Sequence, residues 1–267
     1  RDAGSTPPAH NIQTMYELVQ AIAEAPTADA LETALTTERD ALGVALSAPH
    51  QPYEARELLT RALQVHMHGV AMQKQALVPA IKLAADADVV HKRVGQLAAR
   101  CLLSPSDVAL LPLLQNTLHR DLRAADDAVV ASALLTLSRM ADAPMCAALA
   151  PLVEAVLDRE ADTPSSLRAK AVAALARCWQ LDDSGGEGGG EGGEGKGGEG
   201  KGDARLERRL ERLRALLTER SPAVVAAALT ALRDDSRLPH QMLPELLRAQ
   251  AALLEVGEYE PAAGGGG

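Results

Sequence analysis

Seven histidines and three cysteines are the residues of this chain best suited to metal or nucleophilic chemistry, and their spacing works against both. His66 and His68 stand two apart, so on a helix their rings point about 200° from each other and cannot grip one ion. His91, His119 and His240 are isolated from any Cys or carboxylate cluster of ligand spacing, and neither H-E-x-x-H nor C-x-x-C occurs. Cys101, Cys146 and Cys178 are odd in number, far apart and embedded in apolar helical stretches, the usage of reduced, buried thiols in a cytosolic protein. Gly195, Gly200 and Lys201 match the start of a phosphate-binding loop. Gly202 replaces its magnesium-ligating hydroxyl, however, and no buried strand precedes it to aim backbone amides. No G-x-S-x-G elbow presents a serine. The paired acids Asp126-Asp127 sit where carboxylates oppose the positive end of a helix, and Asp234-Asp235 follow a helix as solvated turn residues. No catalytic, metal-binding or cofactor-binding residue emerges, and the expectation is a protein that is not an enzyme.

The elements that carry these residues are helices, and they repeat. Asp126 to Leu137, D-D-A-V-V-A-S-A-L-L-T-L, returns as Ser221 to Leu232, S-P-A-V-V-A-A-A-L-T-A-L, with seven of twelve positions identical. A weaker copy runs from Leu167 to Leu175, in which Leu167 takes the place of Val129. The offset between those two, roughly 38 residues, is of the order of one helical repeat. A helical unit of that length cannot close its own core, and stacking it on its neighbours gives an all-α solenoid of HEAT or armadillo type. Pro and Asp/Ser/Thr punctuation divides the chain into about a dozen amphipathic helices. Met15, Leu18, Val19 and Ile22 define the first, Pro26-Thr27 starts a long second, and Tyr53 to His68 forms a third that Gly69 ends. Later helices begin near Ala71, Asp88, Ser106, Asp126, Pro144 and Pro164. Ser104-Pro105-Ser106-Asp107 is a cap, and Pro112 either kinks the helix after it or marks its true start.

Composition agrees. Phenylalanine is absent and the aromatics are only Tyr16, Tyr53, Tyr259 and Trp179, which suits close-packed helices and few sheets. A net charge of −9 gives no basic field for phosphate backbones, so nucleic acid is not an expected ligand. No apolar run approaches the roughly 18 residues needed to span a bilayer, and no signal-peptide pattern opens the chain. The expected organisation is a flexible segment over 1–12, a helical repeat trunk over 13–184, a disordered Gly/Glu/Lys insertion over 185–202, the continuing trunk over 203–260 and a Gly-rich tail over 261–267. A solenoid being quasi-one-dimensional, no boundary is expected between globular domains.

Four stretches together resemble the amino-terminal trunk of the adaptin large chains of vesicle-coat adaptors. Arg61 to Ala71, R-A-L-Q-V-H-M-H-G-V-A, looks like the adaptin helix that ends in a Met-Leu-Gly turn. His91 to Ala98 is similar to the family's K-R-x-G-Y-L, with Gln96 in place of the tyrosine. Asn116 to Leu122 and Val129 to Leu134 resemble N-T-I-x-K-D-L and V-V-C-A-A-L, and Leu167 to Val172 resembles V-R-K-K-A-V. Order and spacing agree from about Tyr16 to Leu232. In these motifs Gly95 would allow close helix approach, Val129, Val130 and Leu134 would fill the core, and Asp121 would serve a cap or ion pair. The likeness is to the epsilon type first and the gamma type next. The phosphoinositide-binding lysine cluster of the alpha type falls on Ala55, Arg56 and Glu57 and is not carried over.

The resemblance implies a right-handed α-solenoid acting without cofactors as the trunk of a heterotetrameric adaptor's large subunit in vesicle-mediated protein transport. It would be peripheral on the cytosolic face of Golgi or endosomal membranes. Implied partners are a second large chain, the medium and small chains, and a small GTPase of the Arf class. The exposed side of the early helices, with Arg56, Arg61, Lys74, Lys92 and Arg93, is the candidate docking surface. An alternative is a HEAT or armadillo scaffold outside vesicle transport, binding peptide or protein partners. Peptide-binding armadillo grooves carry Asn and Trp ladders, however, and here Trp179 is alone and Asn occurs only at 11 and 116. A scaffold for a phosphatase or kinase shares the repeat class but has no residue in its favour.

Overall fold

The computed structural model describes residues 14–72, 74–104, 107–159, 163–184, 199–233 and 242–257. These form twelve α-helices: α1 (Met15–Glu24), α2 (Ala28–Leu46), α3 (Pro52–Met67), α4 (Leu77–Ala84), α5 (Val89–Leu102), α6 (Leu111–Asp121), α7 (Asp127–Met140), α8 (Ala143–Leu157), α9 (Ser165–Ser184), α10 (Glu199–Leu217), α11 (Pro222–Arg233) and α12 (Leu243–Gly257). No strand occurs among the described residues, and no helix there is long and apolar enough to cross a membrane.

The helix starts follow from local chemistry. Thr14 and Glu17 form a reciprocal capping box on α1, and Thr27 caps α2 through the Ala30 amide. Pro52 occupies the first turn of α3, where its missing N–H costs nothing. Asp88, Asp126 and Asp142 accept the orphan amides that open α5, α7 and α8. Gly69, at φ +89°, takes the left-handed conformation past the end of α3. Pro112 lies in the first turn of α6, so the helix does start there and no kink is needed. In place of a helix beginning near Ala71, a 3₁₀ turn over Lys74–Ala76 leads into α4.

The chain divides into two compact units, Arg1–Thr117 and Leu118–Gly267, where the repeat pattern had suggested none. In the first, α2 packs on α3 and α4 on α5 as consecutive pairs, while α1, α3 and α5 also touch one another in alternation. In the second, α8 pairs with α9 and α10 with α11, and α7, α9 and α11 alternate in the same way. This is an α-solenoid: one layer is built from every second helix, and the helices between them pack against it. The three echoing segments of the sequence fall on α7, α9 and α11, equivalent positions in the stack. Their apolar residues are the seam, with Val130, Leu134, Leu137, Leu167, Val172, Leu175, Val224 and Leu232 all 3 % exposed or less.

Of the insertion expected over 185–202, residues 185–198 lie outside the described residues, as do 1–12, 258–267 and Asp234-Asp235. The last four residues of that run belong to α10, which begins at Glu199. Cys146 and Cys178 are buried, but Cys101 is exposed, because it lies on the outer stripe of α5 and not on the one that packs.

Candidate partner-docking surface

The structure separates the five cations expected to share one docking face. Arg61 is buried, and its guanidinium grips the equally buried Glu38 of α2, with Nε donating to Oε1 at 2.8 Å. Burial raises the Glu38 carboxyl above its ordinary range, and the neighbouring Arg61 charge opposes that shift. Lys92 is only 4 % exposed, and its Nζ donates to the Ala84 carbonyl at the C-terminal end of α4, 3.2 Å away. Neither residue can meet a partner on the surface, which corrects the expectation for both.

The cause lies in α5. A Cβ on Gly95 would stand 2.1 Å from the Ala84 backbone nitrogen, so the missing side chain is what lets α5 and α4 touch. That contact fixes the rotation of α5, turning Gly95, Ala98 and Ala99 inward, and Lys92 and Gln96 with them. Val90, Arg93, Leu97 and Cys101 are left on the opposite stripe, with Val90 55 % and Leu97 40 % exposed. The helix therefore buries a lysine and a glutamine and shows water two aliphatic residues. A reading based on charge alone selects the wrong stripe.

The remaining three cations do not form one patch. Arg56, half-buried near the start of α3, acts electrostatically on Asp88 at the start of α5. Lys74 lies beyond the far end of α3 and pairs at 3.8 Å with Asp107, beyond the far end of α5. Fourteen residues of α5 at about 1.5 Å each put roughly 20 Å between those ends. Arg93 is exposed midway, flanked by Val90 and Leu97.

A half-open cavity of about 540 Å³ lies between the α2–α3 turn and α4, walled by Leu46, Pro49, Val78 and Pro79. Two of its polar groups are already engaged: His50 Nε2 lies 2.6 Å from the Ala45 carbonyl, and Asp86 accepts the Asp88 amide at 2.7 Å. His66 is half-buried while His68 is exposed beside Gln64, and among the described residues no group of three His, Cys, Asp or Glu could hold a metal. Asp88 itself is held below the ordinary carboxylate range, chiefly by the His91 backbone N–H. The signature motifs are structural: Asp121 is buried beside Arg120, 3.8 Å away, and Val129, Val130 and Leu134 are core.

A model of the adaptin N terminal region matches residues 31–259, nearly the whole helical array just described. The chain belongs to the adaptin family. Its relatives include the AP-4 complex subunit epsilon-1 of Mus musculus, 31 % identical over 151 residues, which is 56 % of this chain and 13 % of that protein. The AP-4 complex subunit epsilon of Arabidopsis thaliana is 29 % identical over 162 residues, 60 % of this chain and 17 % of that one. The AP-1 complex subunit gamma-like 2 of Homo sapiens is 38 % identical over 106 residues, 40 % and 13 % of the two. The adaptin chain thus spans a small part of the length of these relatives. Among solved structures, a designed armadillo repeat protein aligns with a TM-score of 0.43 at 20 % identity, covering 92 % of each chain. Epsilon and gamma chains are the two adaptin types whose motifs the sequence resembles.

Proposed function

We propose that this adaptin chain is the trunk portion of the large subunit of a heterotetrameric adaptor complex, a membrane-recruited scaffold for cargo selection and coat assembly in vesicle-mediated transport. The observation that carries the reading is the family match over residues 31–259, which coincides with the stacked helices. The relatives named as AP-4 epsilon and AP-1 gamma-like subunits support it. The chain works by non-covalent assembly with a second large chain, a medium chain and a small chain. It acts as a peripheral component on the cytosolic face of Golgi or endosomal membranes.

Recruitment follows from avidity. Weak contacts to an Arf-class GTPase, to lipid and to cargo add when one body links them, so a chain of net charge −9 can dwell at an anionic surface. Arg93, with Val90 and Leu97 beside it, is the docking site we retain from the early helices, since an apolar pair around one cation is how a protein contact is anchored. Arg56, which acts on Asp88 before α5, and Lys74, which pairs with Asp107 after it, would serve separate contacts.

Affinity purification of the tagged chain from cells, followed by mass spectrometry, tests the assembly. Recovery of a second large chain with medium and small chains is expected. Recovery of nuclear-transport factors or phosphatase subunits in their place would overturn the reading.

A further inference from the structure

Two buried cysteines, Cys146 of α8 and Cys178 of α9, lie on helices that pack against each other. Residues 158–164 connect the two helices, and so short a link makes them antiparallel neighbours. Cys146 precedes the end of α8 at Leu157 by nearly the same length of helix as Cys178 follows the start of α9 at Ser165. At about 1.5 Å per residue both stand roughly 16–20 Å from the connection, at one level of the hairpin. Each is 3 % exposed and free, so both thiols lie inside the packed pair. Interaction with Cys178 holds the Cys146 thiol below its ordinary range, and interaction with Cys146 together with burial pushes Cys178 above it. Arg177 favours the thiolate at both positions, while Asp142 and Asp182 oppose it at Cys146.

We infer that Cys146 and Cys178 form a reversible redox pair, closed into an intramolecular disulfide by a small two-electron oxidant of the peroxide class. The Cys146 thiolate attacks one peroxide oxygen, an S–O bond forms, the O–O bond breaks, and hydroxide leaves to take up a proton as water. The Cys178 sulfur then attacks the resulting sulfenic acid, an S–S bond forms, the S–O bond breaks, and a second water leaves. Two thiols lose two electrons and two protons, and the peroxide is reduced to two waters. A neutral molecule of that size can reach a buried pair that a bulky disulfide oxidant cannot. The product staples α8 to α9 within the apolar seam. Cys101 is exposed on α5, in the other unit.

The test uses the chain carrying Cys101→Ser, treated with hydrogen peroxide, unfolded and alkylated. A cross-linked Cys146–Cys178 peptide is expected in a non-reducing digest, lighter by about 2 Da than the two thiol peptides and released by dithiothreitol. A higher melting temperature should accompany it and be absent in Cys146→Ser and in Cys178→Ser. Should a serine variant fail to fold, the corresponding alanine variant replaces it, and the cross-link in the Cys101→Ser chain is read on its own. Alkylation of both cysteines after peroxide treatment, or Cys146 carried to sulfinic acid beside a free Cys178, would overturn the inference.

Discussion

At the scale of single residues, two arginines of the same early helices have opposite fates. Arg61 and Glu38 neutralise each other in the core, and removing one strands the other. Arg61→Ala is expected to cost about 3–5 kcal/mol, a fall in melting temperature on the order of 10 °C by thermal denaturation. Arg93→Ala, at an exposed position, should stay within about 0.5 kcal/mol of the parent in the same assay. Equal losses from both would place Arg93 in the core and remove it as a docking residue. Nothing local in the sequence separates the two, because Arg61 finds its partner 23 residues away on another helix.

At the scale of elements, helix ends are set by side chains a few residues from them. Asp88 accepts the Val90 and His91 amides at 2.8 and 3.0 Å, and these bonds favour its ionised form. Its folded pKa therefore lies below the unfolded value. The stability it contributes is present above the unfolded pKa and is lost as pH falls through the folded one. Asp88→Asn keeps a capping oxygen without the titration. Melting curves over an acid series should show the wild type losing its advantage over this variant below the ordinary Asp range, and parallel curves at every pH would contradict the cap's electrostatic role. The caps at Thr27, Asp88 and Asp126 are legible in the sequence, since each lies beside the amides it serves. The stripe of α5 that faces inward is not, because its rotation is decided by the contact of Gly95 with Ala84 on another helix.

For the whole molecule, a stack of helix pairs transmits perturbation mainly to nearest neighbours. Gly95→Ala drives a Cβ into the backbone of Leu83 and Ala84, an overlap no rotamer relieves, at a cost of at least about 1–3 kcal/mol. Hydrogen exchange should show the lost protection concentrated in α4, α5 and the adjoining α3, with α7, α9 and α11 close to wild type. Uniform loss along the chain would mean that the array behaves as one cooperative body.

The sequence by itself determined the helical class, the repeat, the caps and the adaptin likeness, because periodicity and capping act over a few residues and survive in any copy of the motif. Only the tertiary structure decided that Arg61 and Lys92 are interior, that Val90 and Leu97 face water, and that Cys101 is exposed while Cys146 and Cys178 are buried. Those outcomes depend on how one helix is rotated against the next. That rotation is set by close contacts such as Gly95 on Ala84, between residues whose separation along the chain carries no periodic signal.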